Sequence, residues 1–135
     1  MELGRISAIF RYPVKSMAGE LLDVANLGWH GIEGDRRMAF RRLNDISGFP
    51  WLTASKLPQL ILYKPFGLDA NTPDRLPTHV CTPDGKEYEL RSEELRQEIW
   101  RRLGFMGIDG DHRVQVVQSR EDEQICKITA RLSRS

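Results

Sequence analysis

Residues 3–27 read LGRISAIFRYPVKSMAGELLDVANL, and this stretch decides the fold class. Ile6, Ala8 and Phe10 alternate with Arg5, Ser7, Ile9 and Arg11. That period of two predicts a strand over 3–12 with Ile6, Ala8 and Phe10 on its inner face and an imperfectly polar outer face. Pro13 lacks a backbone donor and ends central pairing. Ala18-Gly19 makes a turn, and residues 20–27 (ELLDVANL) return as a second strand. Strand, proline, turn and strand set the pattern for most of the chain.

Working outward, Gly28, Gly31 and Gly34 punctuate a loop holding Trp29 and His30, and residues 37–43 (RMAFRRL) form a third strand ended by Asn44-Asp45. A loop over 46–50 leads to Trp51. Ser55-Lys56-Leu57-Pro58 predicts one short helical turn, and 60–63 a compact apolar strand. Residues 65–77 carry Gly67, Asn71 and Pro73 and read as a surface excursion. Pro83-Asp84-Gly85, between 78–82 and 86–90, is a strong hairpin signal. One helix is predicted, over 93–103. Ser92 caps it, Glu93 and Glu94 suit its positive end, and Arg101 and Arg102 suit its negative end. Leu95, Ile99 and Leu103 form its buried stripe, and Gly104 stops it. Residues 113–118 give a last strand with Val114 and Val116 on one face. The expected fold is mainly β (a β-rich α+β chain): an antiparallel sheet curling toward a barrel, with one helix near 93–103.

At 135 residues the chain is one domain by size. It is 40% apolar and 29% charged, as ordinary soluble proteins are. A net charge of +1 argues against a nucleic-acid binder, which would be more basic. Cys81 and Cys126 lie far apart and fit neither a CxxC spacing nor a disulfide framework, which points to a reducing interior. No apolar run approaches the ~18 residues of a membrane span. Met1-Glu2-Leu3-Gly4 lacks the start of a signal peptide, so the expected location is the cytoplasm.

The sharpest chemical hint is the placement of Lys15 and Ser16 beyond Pro13, and of Arg36 after a Gly34-Asp35 turn. A lysine point charge, an arginine fork and a hydroxyl at adjacent strand ends suit a phosphate. The plainer alternative is two solvated strand-end charges and a turn serine. Asp35 reads as a turn former. His30, His79 and His112 are scattered without zinc spacing. Asp109-Gly110-Asp111 lacks the remaining ligands of a calcium loop and reads as a turn. Cys126 has Lys127 beside it to favour a thiolate, against the plainer reading of an ordinary cysteine in the tail. Trp29, Trp51 and Trp100 read as packing residues rather than a stacking platform. The tail, 121–135, is charged and weakly periodic, and frames either a short helix or a frayed end.

Tyr12-Pro-Val-Lys-Ser-Met-Ala-Gly-Glu, then Leu27-Gly-Trp-His-Gly-Ile-Glu-Gly-Asp-Arg-Arg-Met-Ala-Phe, then Trp51-Leu-Thr-Ala-Ser-Lys-Leu-Pro-Gln-Leu resemble the N-terminal region of MOSC-domain proteins. These are relatives of the C-terminal domain of molybdenum cofactor sulfurase and of the amidoxime-reducing component. The resemblance covers about residues 3–118, which implies a MOSC N-terminal-like β domain at 1–118 and a divergent tail at 119–135. It implies that Lys15, Ser16 and Arg36 contact the phosphate-bearing pterin of the molybdenum cofactor (molybdopterin). Molybdenum ion binding and pyridoxal phosphate binding are further properties that go with the likeness. Met17 departs from members that carry cysteine there. In the family a second barrel portion comes next, with the cysteine that ligates molybdenum or bears sulfur. This chain is expected to stop before it, through truncation or a shifted frame, and to expose an apolar face that favours self-association. Two readings result. One is a cofactor-binding or sulfur-carrier module without turnover of its own, taking a phosphate-bearing small molecule. The other is a non-catalytic β-domain remnant or protein-interaction module. Neither nucleic acid nor membrane is an expected partner.

Overall fold

A computed structural model describes residues 3–28, 31–71, 75–107 and 111–119. Among them, strands dominate and one α-helix comes late. β1 (Ile9–Arg11) pairs with β2 (Glu20–Leu22), and β3 (Leu27–Gly28) with β4 (Gly31–Ile32). β5 (Met38–Arg42) pairs with β9 (Val114–Gln118). β6 (Lys64–Phe66), β7 (His79–Cys81) and β8 (Glu87–Glu89) make a three-stranded sheet in that order. Every ladder is antiparallel. The β-rich α+β class holds, but these small sheets form no closed barrel among the described residues.

β5 is the spine. Met38, Ala39 and Phe40 are all buried, so this strand has core on both faces. β9 lies along one edge, while on the other Leu52 N–H donates to the Phe40 carbonyl (2.8 Å). The parallel bridge Val14↔Met38 joins the segment after Pro13 to the start of β5. Val14, Met17, Phe40, Leu52, Leu60 and Tyr63 pack into one core with the helix.

The helix, α1 (Glu93–Phe105), is capped as its sequence predicts: Ser92 Oγ accepts from Leu95 N–H (3.2 Å). Leu95, Ile99 and Leu103 are buried. Its end differs from expectation. Gly104 lies inside the helix, and the chain turns only beyond Met106, where Gly107 takes φ +75°. A glycine in helical geometry is no stop; the left-handed glycine is. The Pro83-Asp84-Gly85 hairpin forms as expected. Thr82 N–H donates to the Lys86 carbonyl (2.8 Å), and Gly85 takes φ +85°. Val114 is buried and Val116 packs against the core, so they share a face.

Several further expectations need correcting. Residues 60–63 are not a strand: Pro58–Leu62 is a 3-10 helix, with Leu60 N–H donating to Leu57 and Tyr63 N–H to Leu60. Pro58 presets the first helical φ, and a four-residue apolar run suits either element. The excursion predicted from 65 begins later, because Pro65 lies in β6 opposite Val80. β6 is an outer strand of its sheet, where a missing donor is tolerated. The inner face predicted for residues 3–12 is reversed. Ile6 is 80% exposed and Phe10 48%, whereas Arg11 is 6% exposed. Arg11 turns inward because it is fully engaged, donating to the Glu20 carboxylate (2.8 Å) and to the carbonyls of Glu33 and Arg75. The strands are also shorter than predicted: pairing covers 9–11 rather than 3–12, and 20–27 divides into β2 and the start of the β3–β4 hairpin. No described helix is long and apolar enough to cross a membrane. Trp29, His30, Asp109 and the tail with Cys126 lie outside the described residues.

Candidate functional site

Pro13 ends β1, and residues 13–15 are stitched onto the start of β5. Arg36 N–H donates to the Tyr12 carbonyl (2.6 Å), Met38 N–H to Pro13 (2.9 Å), and Lys15 N–H to Met38 (2.8 Å). The backbone thus brings Lys15, Ser16 and Arg36 onto two adjoining segments. Val14 and Met17 are both buried in the core. Lys15 and Ser16, between them, are left half-buried at the surface. Met17 therefore has a packing role at the position where the resemblance led one to look for cysteine.

Ser16 and Arg36 share a backbone feature that composition does not reveal. Their φ angles are +68° and +52°. Arg75 is the third non-glycine residue with positive φ among those described. A left-handed conformation costs an ordinary residue about 1–2 kcal/mol. Such strain persists where surrounding structure enforces it, and it gathers at binding and catalytic sites.

The three side chains have different surroundings. The Lys15 ammonium lies 5.9 Å from the Phe49 ring centroid and has no carboxylate partner among the described residues. The Ser16 hydroxyl likewise has no partner among them. The Arg36 guanidinium stacks 5.5 Å over the Tyr12 ring, and its Nη1 pairs with Asp35 Oδ2. Asp35 does more than form a turn: its Oδ1 accepts from Tyr12 N–H (2.6 Å), tying the two segments together. Tyr12 and Phe49, whose rings lie beside the two cations, are candidate site residues that the sequence reading missed. Tyr12 adjoins the Pro-Val-Lys-Ser run and carries a local signal; Phe49 is remote, and nothing local marks it.

A second polar concentration lies under the helix. Glu98, 4% exposed, accepts from Arg101 and from Arg102 Nε (2.7 Å). Burial works to raise its pKa, but the hydrogen bonds from Arg101 and Arg102 prevail and hold it below the usual range. Arg102 also donates to Gln59 (2.7 Å) and Asp84 (3.1 Å), and lies 5.7 Å from the Tyr63 ring. The network clamps helix, hairpin and 3-10 turn together. The Tyr63 hydroxyl is buried without a partner among the described residues, and burial pushes its pKa up to about 12 against the opposing charge of Arg102.

His79 stacks on Phe66 and bonds Thr78, and Asp111 holds Arg113 and its backbone in a turn. Among the described residues no three His, Cys, Asp or Glu side chains gather as a metal site would need. No family model, curated protein or solved structure matches this chain.

Proposed function

We propose that this chain is a β-rich binding module of the MOSC type that grips the phosphate of a small molecule with Lys15, Ser16 and Arg36. By the resemblance of its Tyr-Pro-Val-Lys-Ser and Gly-Asp-Arg elements, the ligand is the phosphate-bearing pterin of the molybdenum cofactor. The module binds, or passes on a sulfur-bearing form, and does not catalyse alone. The observation that carries the reading is the pair of left-handed residues, Ser16 and Arg36, on hydrogen-bonded neighbouring segments. Lys15 and Ser16 bring donors without partners among the described residues, and Arg36 brings the rest of its fork. Asp35 competes for Arg36, so the ligand must share that guanidinium.

The test is titration with molybdopterin, with inorganic phosphate as control. Exposed charge pairs contribute about 0–1 kcal/mol each, so the expected affinity is no tighter than about millimolar. Binding should fade at 1 M salt, where the Debye length is ~3 Å. Arg36→Lys should weaken it and Arg36→Ala weaken it more, because lysine keeps the charge and loses the fork. Equal affinity in all three proteins would return Arg36 to the role of a solvated strand-end residue.

A second reading, an interaction module, is favoured by one observation. Phe10 and Leu21 face each other across β1 and β2, and both are exposed. Self-association through this pair predicts a concentration-dependent oligomer in sedimentation that the double variant Phe10→Lys, Leu21→Lys converts to monomer. An oligomer unchanged by both substitutions would remove that face from consideration.

A further inference from the structure

The phosphate seat of Lys15, Ser16 and Arg36 contains a negative charge of its own, and that charge is fixed in place. The Asp35 side chain is only 15% exposed. Both of its carboxylate oxygens are engaged: Oδ1 accepts from Tyr12 N–H (2.6 Å), and Oδ2 pairs with Arg36 Nη1. Its main chain is held as well, the Asp35 N–H donating to the Ile32 carbonyl (3.1 Å). The carboxylate therefore cannot turn away without giving up a bond. The approach of a ligand is restricted too. One face of the Arg36 guanidinium lies 5.5 Å over the Tyr12 ring. Its edge keeps Nε and Nη2, which have no acceptor among the described residues. An oxyanion bound at that edge shares one planar group with Asp35.

We propose that Asp35 sets the charge selectivity of this seat, favouring singly charged phosphoryl groups over doubly charged terminal phosphates. A phosphoryl group of the favoured class is esterified twice or holds one proton. The inference rests on the phosphate-seat reading above and narrows its substrate class. Lys15 and Arg36 bring two positive charges, and Asp35 answers one of them. A carboxylate repels each charge of the ligand, so a dianion meets twice the penalty of a monoanion. One pair of unit charges ~4 Å apart in water changes an affinity about fivefold. Repulsion by Asp35 thus weakens a monoanion about fivefold and a dianion about 25-fold. Against this, Asp35 orients the Arg36 fork before any ligand arrives, which lowers the ordering cost of binding. That gain is the same for both ligands and the repulsion is not, so the difference between them is selectivity.

The test titrates the full chain with methyl phosphate and with dimethyl phosphate at constant ionic strength, read by proton–nitrogen NMR of the backbone amides of Lys15, Ser16 and residue 36. At about pH 8 methyl phosphate is doubly charged, because its second ionisation lies at about 6, and dimethyl phosphate is singly charged. The wild type should bind dimethyl phosphate at least as tightly as methyl phosphate. Asp35→Asn keeps an acceptor for Tyr12 N–H and removes the charge, and should shift the ratio of the two affinities about fivefold toward methyl phosphate. Asp35→Ser is neutral as well and should shift it the same way, so one folded variant suffices. A wild type that prefers methyl phosphate overturns the proposal, as does a ratio that both variants leave unchanged. Arg36→Ala separates the two readings. If it weakens both esters while the ratio ignores Asp35, the seat stands and its selectivity falls. If it weakens neither, the seat falls and this proposal falls with it.

Discussion

Tyr63 holds a phenol in the core with no partner for its oxygen among the described residues, and the consequence is readable with pH. An unfolded tyrosine ionises near 10, whereas here burial raises the value to about 12. The stability linked to the neutral phenol is fully present below pH 10. Above it the unfolded chain sheds a proton that the folded chain keeps, so stability falls as pH climbs from 10 to 12. Two pKa units correspond to about 2.7 kcal/mol. Tyr63→Phe should abolish that part of the alkaline loss, and below pH 10 should raise stability by about 1 kcal/mol by removing an unsatisfied buried group. Denaturant melts of both proteins across pH 8–12 measure it; parallel curves would show that the phenol does not titrate with unfolding. Ser16 and Arg36 illustrate the opposite limit of legibility. Their positions beyond a proline and a Gly-Asp turn are plain from sequence. Their left-handed backbones are not, since neither residue type prefers that region; Arg36 N–H bonds Tyr12, and on either side of Ser16 the N–H of Lys15 bonds Met38 and that of Met17 bonds Val14.

At the scale of elements, α1 offers a paired prediction. Ser92→Ala removes the acceptor for Leu95 N–H and should cost about 1 kcal/mol. Gly104→Ala should do the reverse. A methyl added there meets nothing within 4 Å, and the residue sits in helical geometry, so a gain of about 0.5–1 kcal/mol is expected. Chemical denaturation decides both, and a loss at Gly104→Ala would mean that it closes the helix after all. Helix and hairpin were legible because their signals are local: a cap, a three-residue turn, a stripe at spacing four. The 3-10 helix was not, because Leu60 to Tyr63 is too short to display a period. The inward turn of Arg11 was not legible either. Its partners Glu20, Glu33 and Arg75 are scattered along the chain, and only the fold brings them together.

At the scale of the molecule, two of the four small sheets, β5–β9 and β6–β7–β8, share one core with the helix stripe and the 3-10 turn. One core predicts one cooperative unfolding transition. Tryptophan fluorescence, with Trp51 beside β5 and Trp100 on the helix, should therefore coincide with the loss of far-ultraviolet circular dichroism. Separate midpoints would divide the core into independent units. The β5–β9 ladder has a further consequence, in time. Arg42 and Val114 are paired across the ladder although about 70 residues separate them. A ribosome adding about 5–20 residues per second takes roughly 4–14 s to travel that interval. Throughout it, Met38, Ala39 and Phe40 are already made while the strand that will cover their edge has yet to be synthesised. The nascent chain thus passes through an interval with an apolar strand open to its neighbours, and whatever shields it then governs the yield of folded protein.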